Sequence, residues 1–372
     1  MNTETYQEER DGHEAGDELI SPDLSSLQVD RRGFVLGTGA AAILLTFGEV
    51  ARAWEHLSPE LKNLIKERWH AQDTMFQEIT KGGFQTFYEH LGEGKKNVFL
   101  PKEAAKVGTC ACCSDEGNRK YTSTSGEKMK LVRTPGSGIL RVLDNDCKGP
   151  GGKLSPFSRT CIDAVAREAL ASGVTVFTGH AGCGAAKAVF IAWREDQGMS
   201  REEAANVKSE EVDAFASKWA MHVTMRMQEI TRTEGRVSPQ SIRTDFIRKL
   251  DRPKEIHVAR CLYLTDTDDF DASYQGLPQG FVERTGGKDN LDNVLSHVEI
   301  LRRIAFDDVH AFGIMFSEKP EEQFVICCVA ESEARLKLLK DHAEKQIARI
   351  EPEEMRKKVR VDGFVRTEYR TT

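Results

Sequence analysis

The chain has 372 residues, of which 39% are hydrophobic and 30 are glycine, a composition that can bury a sizeable core and argues against wholesale disorder or a polytopic membrane protein. A net charge of -7, from 52 Lys and Arg against 59 Asp and Glu, offers phosphate backbones no attraction and argues against a nucleic-acid partner. Nine cysteines are too sparse for a disulfide scaffold and odd in number, which makes metal or thiol chemistry the leading question.

Residues 1–30 are polar and acidic without apolar periodicity, as expected of a disordered leader. Arg31-Arg32-Gly33-Phe34-Val35-Leu36 then opens an apolar run to Gly48, followed by Ala51-Arg52-Ala53, a small-x-small cleavage site. The run is shorter than the roughly 20 apolar residues of a membrane-spanning helix, so no stable membrane span is expected. The paired arginines resemble a twin-arginine export signal, which implies a periplasmic or secreted protein; the bland alternative is a cytoplasmic protein with a tail. Ser58-Pro59-Glu60 carries a helix-start signature, and Leu61, Leu64, Ile65 and Phe76 continue at helical spacing, predicting one or two helices over 59–91.

Cys110, Cys112, Cys113 and Asp115 cluster at the end of a first expected strand, before a polar Ser/Thr/Gly linker at 121–127. Lys130–Arg133 reads as a short strand entering the turn Thr134-Pro135-Gly136-Ser137-Gly138. A helix over Ile162–Ala171, stopped by Gly173, precedes the β-branched run Val174–Thr178, which ends in Gly179-His180 and leads into another helix. This alternation predicts an α/β fold with a mostly parallel sheet and a site at the strands' C-terminal ends. A capping box at Ser200–Glu203, an amphipathic segment through Trp219 and Met225, and a strand over His257–Leu264 follow. The last hundred residues read as an α+β extension, with two β-rich runs at 309–316 and 324–330 forming a hairpin, then a charged helix over about 331–350; no internal repeat stands out. The expected organisation is a leader and signal over 1–53, a helical arm over 54–100, a metal domain over 101–275 and the extension over 276–372.

Two short ligand-rich loops at strand tips, one with Cys113 and the other with His180 and Cys183, can converge on one ion. Two thiolates and an imidazole favour Zn2+ with an open fourth position, although Cys110 or Cys112 could close the shell. At this point the residues resemble the β-class carbonic anhydrases. Cys113-Ser114-Asp115 matches the Cys and Asp of the family's first motif; Gly179-His180-Ala181-Gly182-Cys183-Gly184, continued by Lys187, matches the second; Val132-Arg133-Thr134-Pro135-Gly136 is a variant of the turn between them. The similarity covers about 100–190 and leaves the last hundred residues uncovered.

The resemblance implies that Cys113, His180 and Cys183 bind zinc, that Asp115 accepts a hydrogen bond from the metal's water, and that the protein reversibly hydrates carbon dioxide to bicarbonate, as a homodimer or higher homo-oligomer. Hydrolysis of carbon disulfide or carbonyl sulfide is the alternative within the same chemistry, and a noncatalytic zinc protein that binds a partner is the alternative outside it. The chain departs from the family where an Arg paired with the Asp is replaced by Gly117. Either Arg119 substitutes for it from the next loop, or Asp115 itself enters the metal shell. Elsewhere, Cys147, Cys161 and the Cys327-Cys328 pair read as core filling, one of that pair facing inward and one outward. His222, His257 and His310 read as structural or surface histidines, the acidic run 266–271 as a solvated turn, and Gly149–Gly152 as a turn without the Lys-Ser/Thr of a phosphate loop.

Overall fold

The computed structural model describes residues 57–94, 108–118, 129–144, 147–234, 238–250, 258–265, 270, 276–285, 323–348 and 353–366. The leader and signal, the linker at 121–127, Arg119, His257, His310, the acidic residues of 266–271 and the run 309–316 lie outside them. None of the helices among the described residues is long and apolar enough to cross a membrane.

Two helices open the described chain. In α1 (Pro59–His70), Ser58 accepts the amide of Leu61 and proline sits in the first turn, as the sequence predicted. In α2 (Asp73–Gly94), Gly83 breaks the helix with φ +78, and Asp362 accepts the amide of Phe84 at 3.1 Å.

The first sheet holds β1 (Thr109–Cys112), β2 (Lys130–Arg133), β3 (Val174–His180) and β4 (Arg243–Ile247) in the order β2-β1-β3-β4, all parallel. Between β2 and β3 run a 3-10 segment, Pro135–Leu143, and α3 (Arg159–Ala171), capped by Ser158. The helices α4 (Gly184–Asp196), α5 (Arg201–Ala205) and α6 (Ser209–Glu234) separate β3 from β4, and the capping box at Ser200–Glu203 forms as expected. One sheet face packs Ala111, Val132 and Phe177 against Val165 of α3 and Trp219 and Val223 of α6. The other gathers Cys110, Cys112, Met129, Leu131 and Val176.

The second sheet corrects the expected α+β extension. It contains β5 (Cys261–Thr265), β6 (Gly280–Arg284), β7 (Phe324–Ala330) and β8 (Val359–Val365) in the order β6-β5-β7-β8, again all parallel. Both edges of β7 are taken by β5 and β8, so β7 is a central parallel strand and not one arm of a hairpin. The division between sheets falls between β4 and β5. Helix α7 (Glu333–Ile347) and the short α8 (Glu353–Arg356) lie between β7 and β8. One face of the sheet packs on Leu336, Leu339 and Ala343 of α7, the other on Phe76, Ile79, Phe84 and Tyr88 of α2. Covered on both sides, β5 and β7 are uninterrupted buried runs, and Cys327 and Cys328 are both buried instead of one facing outward.

The two sheets share one path. In each, the chain lays a first strand, steps outward to a second, returns past the first to a third, and continues to a fourth. The chain therefore contains a structural repeat. The edges meet where β2 and β6 lie side by side: Val282 donates its amide to Ser114 O at 3.0 Å, and Arg284 reaches Ser172 Oγ at 2.6 Å. The N-terminal helices strap the second sheet. Arg260, fully buried, lies 4.1 Å from the Phe76 ring centroid and 4.8 Å from that of Trp69, and pairs with Asp73 at 2.5 Å.

Candidate metal centre

Alternation along β1 decides which thiol of the cluster faces the site. Cys110 and Cys112 point into the apolar group with Met129, Leu131 and Val176, whereas Cys113 joins the opposite face with Ala111. His180 is the last residue of β3, the neighbour of β1, and Cys183 is the N-cap of α4. The loop between them is fixed from α6, whose Asp213 accepts the amide of Gly182 at 2.9 Å. As a result the donor atoms of Cys113, His180 and Cys183 lie within 4.8 Å of one another, and all three residues are buried.

The surroundings suit a metal. His180 Nδ1 is 2.9 Å from Ala181 O, so that nitrogen carries the hydrogen; Nε2 is buried without a hydrogen-bond partner. An imidazole held by its own backbone with the other nitrogen turned towards two sulfurs is a ligand's arrangement. Gly136 donates its amide to Cys113 Sγ at 3.1 Å. Its φ is +55, and a Cβ there would come within 2.4 Å of Ile139 Cγ2, so the close approach of this turn to the sulfur depends on glycine.

Without metal the cluster holds protons. A hydrogen bond from the Cys113 thiol lowers the pKa of Cys183 against the opposing effect of burial, helped by the amides of Ala186 and Ala185 at the start of α4. Cys113, as the donor and itself buried, is pushed up. Burial opposes charging of His180, but the Cys113 sulfur and the Asp115 carboxylate raise it to about 9.

Asp115 is buried beside this group but is not among the three mutually close donors. Its Oδ1 accepts the amide of Gly117 at 2.9 Å, and Asn118 Nδ2 bonds Cys113 O at 3.1 Å. At the position where the family has an arginine, this chain thus supplies a backbone N–H. Among the other residues weighed from sequence, Cys147 and Cys161 are buried in the core of the first sheet, and the His222 ring lies tilted against Phe157 with centroids 5.0 Å apart. All nine cysteines are buried and none is in a disulfide.

The repeat was missed in the sequence, although Arg133-Thr134-Pro135-Gly136 and Arg284-Thr285-Gly286-Gly287 share the pattern Arg-Thr-x-Gly. The backbone bonds Thr134 N to Cys112 O, 3.0 Å, and Thr285 N to Thr265 O, 2.8 Å, show that the pattern closes the first strand pair in each half. Reading outward from there, the second half has Asp266 following β5, Ala330 ending β7 and Ser332 as the N-cap of α7, where the first has Cys113, His180 and Cys183.

Fold and cluster together define a parallel α/β protein with a buried Cys–His–Cys group that can hold a metal ion in one of its two like halves. Comparison of the chain with protein-family models, with curated proteins and with solved structures gives no match.

Proposed function

We propose that Cys113, His180 and Cys183 hold zinc and that the protein reversibly hydrates carbon dioxide to bicarbonate and a proton. The observation that carries this reading is a buried set of two sulfurs and an unpartnered imidazole nitrogen at neighbouring strand tips, with a carboxylate beside the set but outside it. Zinc bound there would supply Lewis acidity and a water that ionises near neutral pH. The chain's own residues do the rest. Asp115, anchored through Gly117, would orient the attacking water by accepting its hydrogen, and the Gly136 amide would temper the charge on Cys113. The signal-like segment Arg31–Ala53 supports export from the cytoplasm, and the mature chain would then begin at Trp54; intact mass of the exported fraction checks this.

Stopped-flow hydration by zinc-loaded protein across a pH range, with carbon disulfide and carbonyl sulfide in parallel, tests the reaction. Carbon dioxide turnover that is lost in Cys113→Ser is the expected result. Turnover of the sulfur substrates alone would move the assignment to the hydrolase, and turnover of none would leave a noncatalytic zinc protein.

A further inference from the structure

Helix α6 turns one face to the first sheet and the other to solvent. Trp219 and Val223 lie on the buried side, whereas Glu211, Lys218, Met221, Met225, Glu229 and Arg232 are exposed. At 3.6 residues per turn these six fall within about 80° of arc, so they form one straight seam along a helix about 39 Å long. Two methionines sit at its middle. Five large apolar side chains are exposed among the described residues, and Met221 and Met225, at 46% and 52%, are the two that share a helix face one turn apart. Methionine is an adaptable contact residue, and charged residues flank the pair on both sides.

The order of charge along the seam identifies the partner. It runs negative at Glu211, positive at Lys218, apolar at the methionines, negative at Glu229 and positive at Arg232. A twofold axis at Val223 lays a second α6 antiparallel on the first, each residue facing the one as far beyond Val223 as it lies before it. Met221 then meets Met225 of the second copy. Lys218 faces Gln228 of the second copy and so lies one residue from its Glu229, whose side chain is 54% exposed although it also holds Arg226. Arg232 of the second copy lies over Ala214, whose small side chain leaves the guanidinium room to reach Glu211 about one turn away. Every contact occurs twice, as a twofold requires. A parallel pair would instead set Lys218 on Lys218 and Glu229 on Glu229, which like-charge repulsion opposes. A foreign partner of one charge sign would meet both signs along this seam, whereas a second copy matches each in turn.

We propose that this seam is the surface through which two copies of the chain pair, antiparallel about Val223, with the methionines at the centre and ion pairs of Lys218 with Glu229 and of Glu211 with Arg232 on either side. The surface is narrow and its charges are exposed, so the dimer is weak and salt-sensitive. The same helix fixes the loop between His180 and Cys183 through Asp213, so pairing braces the element that positions the metal ligands in each copy.

Sedimentation velocity of the full chain at low salt, over a range of protein concentrations, tests this. A reversible dimer that weakens as salt is added is the expected result. Lys218→Glu and Glu229→Lys should each raise the dissociation constant by about tenfold, because each replaces two ion pairs with like charges. The double variant Lys218→Glu/Glu229→Lys exchanges the signs and should return it to within about threefold of wild type. Met225→Lys should abolish pairing, and unchanged circular dichroism and zinc content in these variants separate loss of pairing from loss of fold. Carbodiimide crosslinking of mixed isotope-labelled and unlabelled protein should join Lys218 of one chain to Glu229 of the other. A monomer at every concentration, a dimer that single charge reversal leaves unchanged, or losses that the double variant does not restore would each overturn the proposal.

Discussion

The two halves of this chain lay four parallel strands in the same order and use the strand tips differently. In the first, the tips carry Cys113, His180 and Cys183, drawn together at the cost of burying two sulfurs and an imidazole. In the second, β7 ends in Ala330, and the helix that follows is capped by Ser332, whose hydroxyl accepts the amide of Arg335. Its inner strands β5 and β7 are buried along their whole length and clamped between α2 and α7. The difference teaches that this topology fixes where a site can be built, whereas the residues at the tips decide whether one is built. Where no ligand must be accommodated, a tip can be capped and packed like any other helix start.

The strongest way to break the comparison is to remove metal ligands. Removing one of three donors leaves a dication poorly held, so Cys113→Ser, His180→Ala and Cys183→Ser should each lose most bound zinc, with affinity falling by well over the roughly 10- to 100-fold typical of outer-shell changes. Ser332→Ala, at the matching cap of the second half, should leave the metal untouched and cost about 1 kcal/mol of stability. Elemental analysis of purified protein checks both, and two zincs per chain in the wild type would overturn the asymmetry.

The clamp on the second half comes next in size. Arg260 is buried, and Asp73, the Trp69 carbonyl and two aromatic faces help to compensate its charge. Arg260→Ala removes that guanidinium, its ring contacts and its volume, and should cost about 3 kcal/mol in urea unfolding. Asp73→Ala leaves the cation buried but should cost less, about 2 kcal/mol, because Asp73 is itself 41% exposed. Zinc content should survive both, since the clamp touches the other half.

Much of the first half was legible in the sequence because its signals are local. The capping box at Ser200, the cap at Ser58, the strand Lys130–Arg133 and the glycine-rich loop after β3 each announce themselves within a few residues. Choosing Cys113 over Cys110 and Cys112 rested on the resemblance, and only the structure turns the other two into the opposite apolar face. The second half was misread because a parallel strand's partners are distant in sequence: β7 bonds to β5, about 60 residues earlier, and to β8 beyond an intervening helix, while a nearby charged turn suggested a hairpin. The repeat itself survives in sequence as little more than Arg-Thr-x-Gly, because the strands around it need only be apolar.

Protons sharpen the contrast between loaded and empty first half. Metal must displace the His180 proton, whose pKa is raised to about 9, and the Cys113 proton, whose pKa is also pushed up, so zinc affinity measured by chelator competition should rise with pH up to and beyond about 9. The sign for metal-free stability is opposite. A histidine whose pKa is raised from about 6.5 to about 9 contributes stability fully present below about 6.5 and lost as pH rises through about 9. Metal-free protein should therefore lose Tm across that window relative to Cys113→Ser, in which the stabilising sulfur is absent. Equal pH dependence of the two would show that no such interaction forms.

The smallest expected effect concerns the thiols beside the ligand. Cys110 and Cys112 occupy the sheet face opposite Cys113, packed with Met129, Leu131 and Val176. Burial also pushes the Cys110 thiol up, away from the thiolate a metal requires. Replacing either sulfur with a hydroxyl puts a more polar atom into an apolar cluster, so Cys110→Ser and Cys112→Ser should each cost about 1–2 kcal/mol in thermal unfolding while retaining full zinc. The pairing of a small stability loss with unchanged metal is what strand alternation demands. Loss of zinc in either variant would mean that β1 presents its other face to the site, and with it that Gly136 and the loop after β3 meet a different sulfur.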